Sequence, residues 1–263
     1  MKEVFIKHIT DAIERMAPLT LQESWDNSGL QVGSTTLWVK GVLTCVDVTP
    51  EVVREAINVG ANLIVSHHPL LFRGLKSITG TTRTQKAVEL AIKNDIAVYS
   101  AHTSLDNAEF NVSMLLARKL GYKILRPLVP TFPGATTGTG VICDGDSETP
   151  AEFFIEHLKK FFPALRHSDV ALAPKDMRFI AICGGSGAEF IPDAIGNNCS
   201  MYITGDLKHH DFVDYADRIL LVDCGHFETE MLSREWLADV IHQAYPELPV
   251  YISEKENNPV FYQ

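Results

Sequence analysis

The sequence predicts an α/β fold with two lobes, each built on a mixed sheet flanked by helices. The first observation is that short apolar, β-branched segments alternate with longer segments of helical spacing. The second is a Pro- and Gly-rich stretch, residues 127–140, which separates two such sets and predicts lobes of residues 1–126 and 127–263. The alternative for this stretch is a long surface loop within one domain. A chain of 263 residues with 46% hydrophobic content is sufficient for either arrangement.

The first lobe opens with a helix predicted over residues 4–16, which Pro18 ends. Charged residues interrupt its apolar positions, so it lacks the continuous apolar core of a signal peptide. The second helix has Gly60 as its predicted C-cap. After the first helix, the predicted elements are a polar loop at 24–29, strands at 41–48, 61–65 and 96–100, and helices at 50–59, 84–94 and 110–120.

The second lobe is predicted to continue the alternation of strands and helices. A Gly-rich segment, residues 184–187, joins one of its strands to a helix. A tight turn is the first interpretation, and an anion contact through backbone N–H groups at Gly185 and Ser186 is the alternative. The predicted strands lie at 140–143, 179–183, 201–204, 219–223 and 250–253, and the predicted helices at 150–162, 189–195, 207–218 and 228–244.

Composition excludes several classes of function. The formal net charge is -10, from 33 acidic and 23 basic residues, and no block of basic residues is present, so nucleic acid is not an expected partner. No apolar run is long enough to span a membrane. The cysteines are odd in number and never form a C-x-x-C pair, which favours a reducing cytoplasm over a disulfide framework. They are Cys45, Cys143, Cys183, Cys199 and Cys224.

Two adjacent histidines follow the predicted strand at 61–65, and Pro69 comes directly after them. Proline has no N–H to donate and favours an extended conformation at the residue before it. Because neighbouring side chains of an extended segment point to opposite sides, His67 and His68 can face two metals, or one metal and its surroundings. The alternative is a pair of ordinary polar residues at the start of a loop.

Acidic and histidine side chains gather just past strand C-termini, the edge at which open α/β sheets bind ligands. His226 and Glu230 are four residues apart, so they share one face if that turn is helical, and can then share a metal or bridge two. The alternative is a histidine at a helix start and a solvated glutamate. The set comprises His67, His68, His102 and Asp106 in the first lobe, and Asp206, His209, His210, His226 and Glu230 in the second.

Six short motifs, taken together and in this order, resemble the NGG-interacting-factor-three-like family, also called GTP cyclohydrolase I type 2-like. They cover nearly the whole chain, although this chain is too short for the middle domain that some members carry. The motifs are SWDNSGL at 24–30, VSHHPL at 65–70, AHTSLD at 101–106, AICGGSG at 181–187, YITGD at 202–206 and GHFETE at 225–230.

The resemblance implies a dinuclear metal site between the two lobes and a toroidal homo-hexamer built from dimers. His102 is implied as a further ligand or as a proton-transfer group. Because the candidate ligands come from both halves of the chain, we expect the site in the cleft where the lobes meet. The ligands that the resemblance implies are His67, His68, Asp106, His226 and Glu230.

We therefore predict a metal-dependent hydrolase that acts on a small phosphate-bearing or nucleotide substrate. Two divalent ions can activate a bridging water, and mixed imidazole and carboxylate ligands suit Zn, Mn, Fe, Ni or Co. Lys208 and the turn at 184–187 are the candidates for holding phosphate. The alternative function is a metal-binding regulatory or scaffold protein without turnover.

Overall fold

The computed structural model describes residues 3–261 and divides into two compact units. The first unit contains residues 3–105 and 233–261, and the second contains residues 106–232. This division differs from the predicted one at 126/127 in two ways. The second unit begins at residue 106, and the chain returns to the first unit near its C-terminus. The fold class is as predicted, with a mixed sheet and flanking helices in each unit.

The helices begin and end largely where capping residues and glycines predict. The side chain of Thr49 accepts a hydrogen bond from the N–H of Val52, and Gly60 ends the same helix at φ 76°. In the described chain the α-helices are α1 (Ile6–Met16), α2 (Pro50–Val59), α3 (Arg83–Lys93), α4 (Thr103–Asp106), α5 (Val112–Lys119), α6 (Ala151–Lys159), α7 (Ile191–Gly196), α8 (His209–Tyr215), α9 (His226–Glu230) and α10 (Leu232–Ala244).

The strands of the two units form separate sheets. The five-stranded sheet has the order β1-β4-β3-β2-β11, and the six-stranded sheet has the order β5-β6-β8-β9-β10-β7. The strands are β1 (Gly29–Val32), β2 (Val42–Cys45), β3 (Leu63–Ser66), β4 (Ala97–Ser100), β5 (Lys123–Pro130), β6 (Gly138–Asp146), β7 (Arg166–His167), β8 (Met177–Ser186), β9 (Met201–Gly205), β10 (Leu220–Asp223) and β11 (Val250–Ile252).

The sheet of the first unit is parallel except at one edge. β2, β3, β4 and β11 run parallel, and β1 pairs antiparallel with β4. β2, β3 and β4 are buried along their whole length, as expected of parallel strands covered on both faces. The register aligns Cys45 with Ser66 and Ser66 with Ser100, so these three strands end side by side.

The sheet of the second unit is packed on both faces. β8, β9 and β10 are parallel, whereas β5, β6 and β7 are antiparallel to their neighbours. Ile180 and Ile182 of β8 belong to one core cluster, which includes residues of α5 and α6. The alternate residues Ala181 and Cys183 belong to a second cluster, with residues of α7. This alternation is the two-residue period of a strand buried on both faces.

The predicted connection between lobes over residues 127–140 is instead a hairpin of the second unit. β5 pairs antiparallel with β6, aligning Pro130 with Gly138. Pro127 and Pro130 lie within β5, which is the edge strand of its sheet. A proline cannot donate to a central ladder but is tolerated on an edge, so the composition of a linker also fits an edge strand.

Three further differences concern element boundaries. The helix predicted over residues 228–244 is two helices, α9 and α10, separated at Met231. β8 continues to Ser186, through the segment predicted as a turn. β1 and β7 were not predicted, because both lie at sheet edges and carry polar residues. Among residues 3–261, no helix combines the length and the apolar character that crossing a membrane requires.

Candidate metal centre

Three histidines of the first unit form one cluster. His67, His68 and His102 each bring one ring nitrogen to within 4.8 Å of the others. The register of the sheet explains this meeting, because Ser66 pairs with Ser100 and the residues after β3 and β4 therefore leave the sheet together. His67 is fully buried, and His68 and His102 are partly buried. A loop-start pair of histidines, the alternative interpretation, would lie in solvent.

Each imidazole of this cluster has an acceptor at its Nδ1 atom. Nδ1 of His67 lies 2.9 Å from the carbonyl oxygen of Ala101, Nδ1 of His68 lies 2.9 Å from Oδ1 of Asp47, and Nδ1 of His102 lies 2.8 Å from Oδ1 of Asp26. A carbonyl or carboxylate oxygen only accepts, so Nδ1 carries the proton in the neutral rings. Nε2 then carries the lone pair, which is the arrangement of histidines that bind metals.

Asp26 is held as an anion beside His102. Its side chain is fully buried and accepts hydrogen bonds from His102, from the backbone N–H and hydroxyl of Thr103, and from the hydroxyl of Ser28. Burial by itself would raise the pKa of this carboxyl. The hydrogen bonds from His102, Thr103 and Ser28 outweigh burial and hold the pKa of Asp26 well below its usual range.

Two serine hydroxyls fix the backbone at His68. The hydroxyl of Ser66 donates to the carbonyl oxygen of His68 at 2.8 Å, and the hydroxyl of Ser100 lies 3.2 Å from the same oxygen. The two hydroxyl oxygens are 2.8 Å apart and both side chains are buried. The last residues of β3 and β4 therefore hold the turn that carries the histidine pair.

The second unit contains the pair His226 and Glu230, on one turn of α9. Nε2 of His226 lies 3.0 Å from Oε2 of Glu230, and Nδ1 lies 2.7 Å from Oδ2 of Asp206. Glu230 is only 4% exposed, which excludes the alternative of a solvated helix glutamate. A buried carboxylate beside an imidazole is a donor set suited to a divalent cation.

The Gly-rich end of β8 lies directly against Glu230. A Cβ atom on Gly185 would lie 2.0 Å from Oε1 of Glu230, and Gly185 has a φ of +68°, so this position requires glycine. The N–H of Gly185 donates to the Thr229 hydroxyl at 2.9 Å, and the N–H of Gly184 donates to the Ser113 hydroxyl at 3.1 Å. These N–H groups are therefore occupied within the protein. The glycine at position 185 leaves room for the Glu230 carboxylate. A phosphate contact at this segment, the alternative interpretation, stays a prediction.

The other predicted residues of the second unit lie on three different elements. Asp106 ends α4 and is half-buried; burial first, and then the charge of Asp106, raise the pKa of the Cys183 thiol to about 12. The charge of Glu230 raises the pKa of the same thiol further. Ser186 is exposed at the end of β8. Lys208 is exposed at the N-cap of α8, where its backbone N–H donates to Asp211.

Two residues that contact the histidine cluster were not among the predicted site residues. Asp47 follows β2, and Asp26 lies in the polar loop before β1. The rule that acidic side chains past strand ends mark a site applies to Asp47 and would have found it. No strand precedes Asp26 directly. Its only sequence signal is its place in the SWDNSGL motif.

Comparison with known proteins agrees with this architecture. A family model described as DUF34/NIF3 (NGG1p interacting factor 3) matches residues 4–259. The chain belongs to the DUF34/NIF3 family.

Members of the DUF34/NIF3 family resemble the chain over nearly its full length. A Streptomyces coelicolor protein described as a GTP cyclohydrolase 1 type 2 homolog is 31% identical over 264 residues, covering 97% of this chain and 93% of the relative. A Clostridium acetobutylicum protein of the same description is 29% identical, covering 97% of each chain. The crystal structure of a Staphylococcus aureus hypothetical protein superposes with a TM-score of 0.89 at 26% identity, covering 100% of both chains.

Proposed function

We propose that this protein is a metal-dependent hydrolase that acts on a small phosphate-bearing or nucleotide substrate. The observation that carries the proposal is the histidine cluster of the first unit, in which three ring nitrogens lie within 4.8 Å and each Nδ1 faces an acceptor. Buried histidines with this hydrogen bonding fit a divalent metal, because Nε2 of each neutral ring supplies the lone pair. Relatives described as GTP cyclohydrolase 1 type 2 homologs support a nucleotide as substrate.

The proposed ligands fall into two groups. His67, His68 and, as a further ligand or proton-transfer group, His102 belong to the first unit, and Asp106, His226 and Glu230 belong to the second. We propose two divalent ions per chain, of Zn, Mn, Fe, Ni or Co, since these metals accept mixed imidazole and carboxylate ligands. Bound metal would supply Lewis acidity and lower the pKa of a water molecule towards neutrality.

His102 is the residue best placed to move a proton in the first unit. Its Nδ1 proton is fixed by Asp26, whose low pKa keeps the carboxylate charged and the ring oriented. Nε2 of the neutral ring can then accept a proton from a water molecule and return it to a leaving group. Lys208 is an exposed cation and remains the candidate for pairing with a substrate phosphate.

The oligomeric state and the cellular location are also part of the proposal. We propose a ring-shaped homo-hexamer, on the basis of the family resemblance. We propose a cytoplasmic location because the scattered cysteines are all buried free thiols. Light scattering should give a mass six times the 29.2 kDa of one chain. A monomer at micromolar concentration would contradict the assembly.

The experiment that tests the proposal begins with metal-free protein. Titration with zinc and with manganese, followed by elemental analysis, should give two ions per chain. The loaded protein is then tested against nucleotides and phosphoesters. Glu230→Ala should bind metal about 10–100-fold more weakly, a range typical of changes around metal ligands. The matched control is Glu152→Gln, an exposed glutamate on α6 of the same unit, which should leave metal binding unchanged.

The outcomes separate the two predicted functions. Metal binding together with turnover that Glu230→Ala abolishes supports the hydrolase. Two tightly bound ions without turnover of any tested substrate favour the regulatory or scaffold alternative. Protein that takes up no divalent metal on titration would refute both.

A further inference from the structure

Two large aromatic side chains lie in solvent beside the histidine cluster. Trp25 is 57% exposed and Phe72 is 48% exposed. The ring centroid of each lies 6.1 Å from that of His102, and the two rings are 6.0 Å from each other. All three contacts are edge-to-face, with interplanar angles of 70° to 85°. We refer to Trp25 and Phe72 as the aromatic corner.

Hydrogen bonds tie together the two loops that carry the aromatic corner. Nδ2 of Asn27 donates to the carbonyl oxygen of Leu71 at 2.8 Å, and the N–H of Leu71 donates to Oε1 of Gln31 at 2.7 Å. The backbone N–H of Asn27 donates in turn to Asp26, the partner of His102. The rings are thus fixed to the framework that orients the histidine, and their exposure does not result from loose loops. Preorganised exposed rings are a feature of binding surfaces.

We propose that the aromatic corner binds a planar nitrogen heterocycle of the substrate, such as a purine. This inference rests on the proposed function, whose substrate class it narrows to ring-bearing compounds. Aromatic side chains stack on the faces of bases without regard to their hydrogen-bonding pattern. An aliphatic or sugar phosphate would gain no stacking from the aromatic corner, so the rings select for substrates that carry a flat ring.

The aromatic corner also lies close enough to the histidines to bring a bound heterocycle to them. Each ring of the aromatic corner is one edge-to-face contact away from His102. A heterocycle stacked on either ring would therefore lie beside the imidazoles. We expect the ring of the substrate, or a group attached to it, to be the part that reaches the histidine cluster.

The test uses binding by the full chain loaded with zinc, measured by calorimetry. The probes are guanosine 5′-monophosphate, which carries a purine, and ribose 5-phosphate, which does not. Trp25→Ala and Phe72→Ala remove one ring each, and Trp25→Phe keeps a stacking surface. The matched control is Trp38→Ala, because Trp38 is 52% exposed in the same unit and its ring contacts Phe5, 5.9 Å away. Zinc content and circular dichroism are measured for every variant.

We expect Trp25→Ala and Phe72→Ala to weaken binding of the purine nucleotide about 5- to 150-fold, the factor that corresponds to one base stack. Trp25→Phe and Trp38→Ala should stay near the wild type, and none of the variants should change binding of ribose 5-phosphate. If Trp25→Ala loses zinc, Phe72→Ala decides the comparison. Purine binding that is absent in the wild type, or unchanged in both alanine variants, overturns the proposal.

Failure of this inference is distinguishable from failure of the hydrolase proposal. Turnover of ring-free phosphoesters at rates independent of Trp25 and Phe72 would refute the aromatic corner and leave the hydrolase intact. Ring-dependent binding of the purine nucleotide without any turnover would support the aromatic corner and refute the hydrolase.

Discussion

At the scale of single residues, the candidate metal centre is defined by groups that hold other groups in place. Asp26, Asp47 and the carbonyl of Ala101 each occupy the Nδ1 side of one histidine. These contacts select the tautomer whose Nε2 binds metal, and they restrict rotation of each ring. None of the three acceptors is a candidate ligand itself. A search limited to ligands therefore misses the residues that orient them.

The close approach of Gly185 to the Glu230 carboxylate predicts that a larger residue at position 185 is destabilising. Gly185→Ala places a Cβ atom 2.0 Å from Oε1 of Glu230 on a residue with φ +68°. We expect a loss of about 1–3 kcal/mol in unfolding free energy from backbone strain, because an alanine at this φ is strained. Displacement of Glu230 should also weaken metal binding. Urea unfolding measures the first effect, and zinc titration measures the second.

The control for this prediction is Gly196→Ala at the end of α7. A Cβ atom on Gly196 meets no atom within 4 Å, and the residue has no left-handed backbone conformation. Alanine there should leave stability unchanged or raise it slightly, since alanine favours helix more than glycine does. Equal unfolding free energies for the wild type and Gly185→Ala would show that the end of β8 shifts freely, against the role given to Gly185.

At the scale of elements, the sequence predicts the buried strands well, but in the described chain it misses the edge strands β1, β5 and β7 and finds only β11 among the edges. The predicted segments at 61–65 and 96–100 overlap β3 and β4, because central parallel strands are continuous apolar runs. β5 contains two prolines and β7 has only two residues, both exposed, so neither carries the pattern of a strand. The histidine pair was predictable because it follows β3 directly.

Contacts between segments distant in sequence were not predictable from local patterns. Glu256 accepts hydrogen bonds from the N–H groups of Val46 and Asp47, 210 and 209 residues away. Arg234 lies 3.3 Å from the same carboxylate. Asp47 in turn holds His68, so the segment after β11 supports the end of β2 and, through it, the histidine cluster. Nothing in the local sequence around Glu256 indicates this partner.

The buried carboxyl of Glu256 predicts how the stability of the protein changes with pH. Burial raises the pKa of this carboxyl above its usual value, despite its backbone hydrogen bonds. The folded protein therefore holds this proton more tightly than the unfolded chain does. The resulting stability is fully present below the unfolded pKa, about 4.5, and is lost as pH rises through the folded pKa. Glu256→Gln, an isostere of the protonated acid, should lack this loss.

The measurement is urea unfolding of chelator-treated wild type and Glu256→Gln across this pH window. The wild type should lose stability relative to the variant as pH rises. Glu254→Gln is the control, because Glu254 is exposed and nearby in sequence, and it should run parallel to the wild type. If the difference in unfolding free energy between wild type and Glu256→Gln does not vary with pH, Glu256 has the same pKa in the folded and unfolded chain, and the prediction is wrong.

At the scale of the whole molecule, the first unit is assembled from both ends of the described chain. β11 pairs in parallel with β2, aligning Val250 with Val42, Tyr251 with Leu43 and Ile252 with Thr44. Ser253 and Glu254 also bind Glu55, through a hydroxyl bond of 2.5 Å and a backbone N–H bond of 2.8 Å. A boundary placed by composition alone cannot detect this return. It depends on which strand completes the edge of the sheet.

Truncation tests this discontinuous unit. A chain ending at residue 248 lacks β11 and Glu256, so the edge of β2 and the N–H groups of Val46 and Asp47 lose their partners. Each buried group left unpaired costs about 1–3 kcal/mol, a large share of the roughly 5–15 kcal/mol that stabilises a domain. Hydrogen exchange should accelerate in β2, β3 and β4 but stay slow in β8, β9 and β10, which belong to the other unit.

A chain ending at residue 257 keeps β11 and Glu256 and should exchange like the full chain. Unchanged protection of β2 in the shorter chain would mean that the first unit is complete without its C-terminal segment.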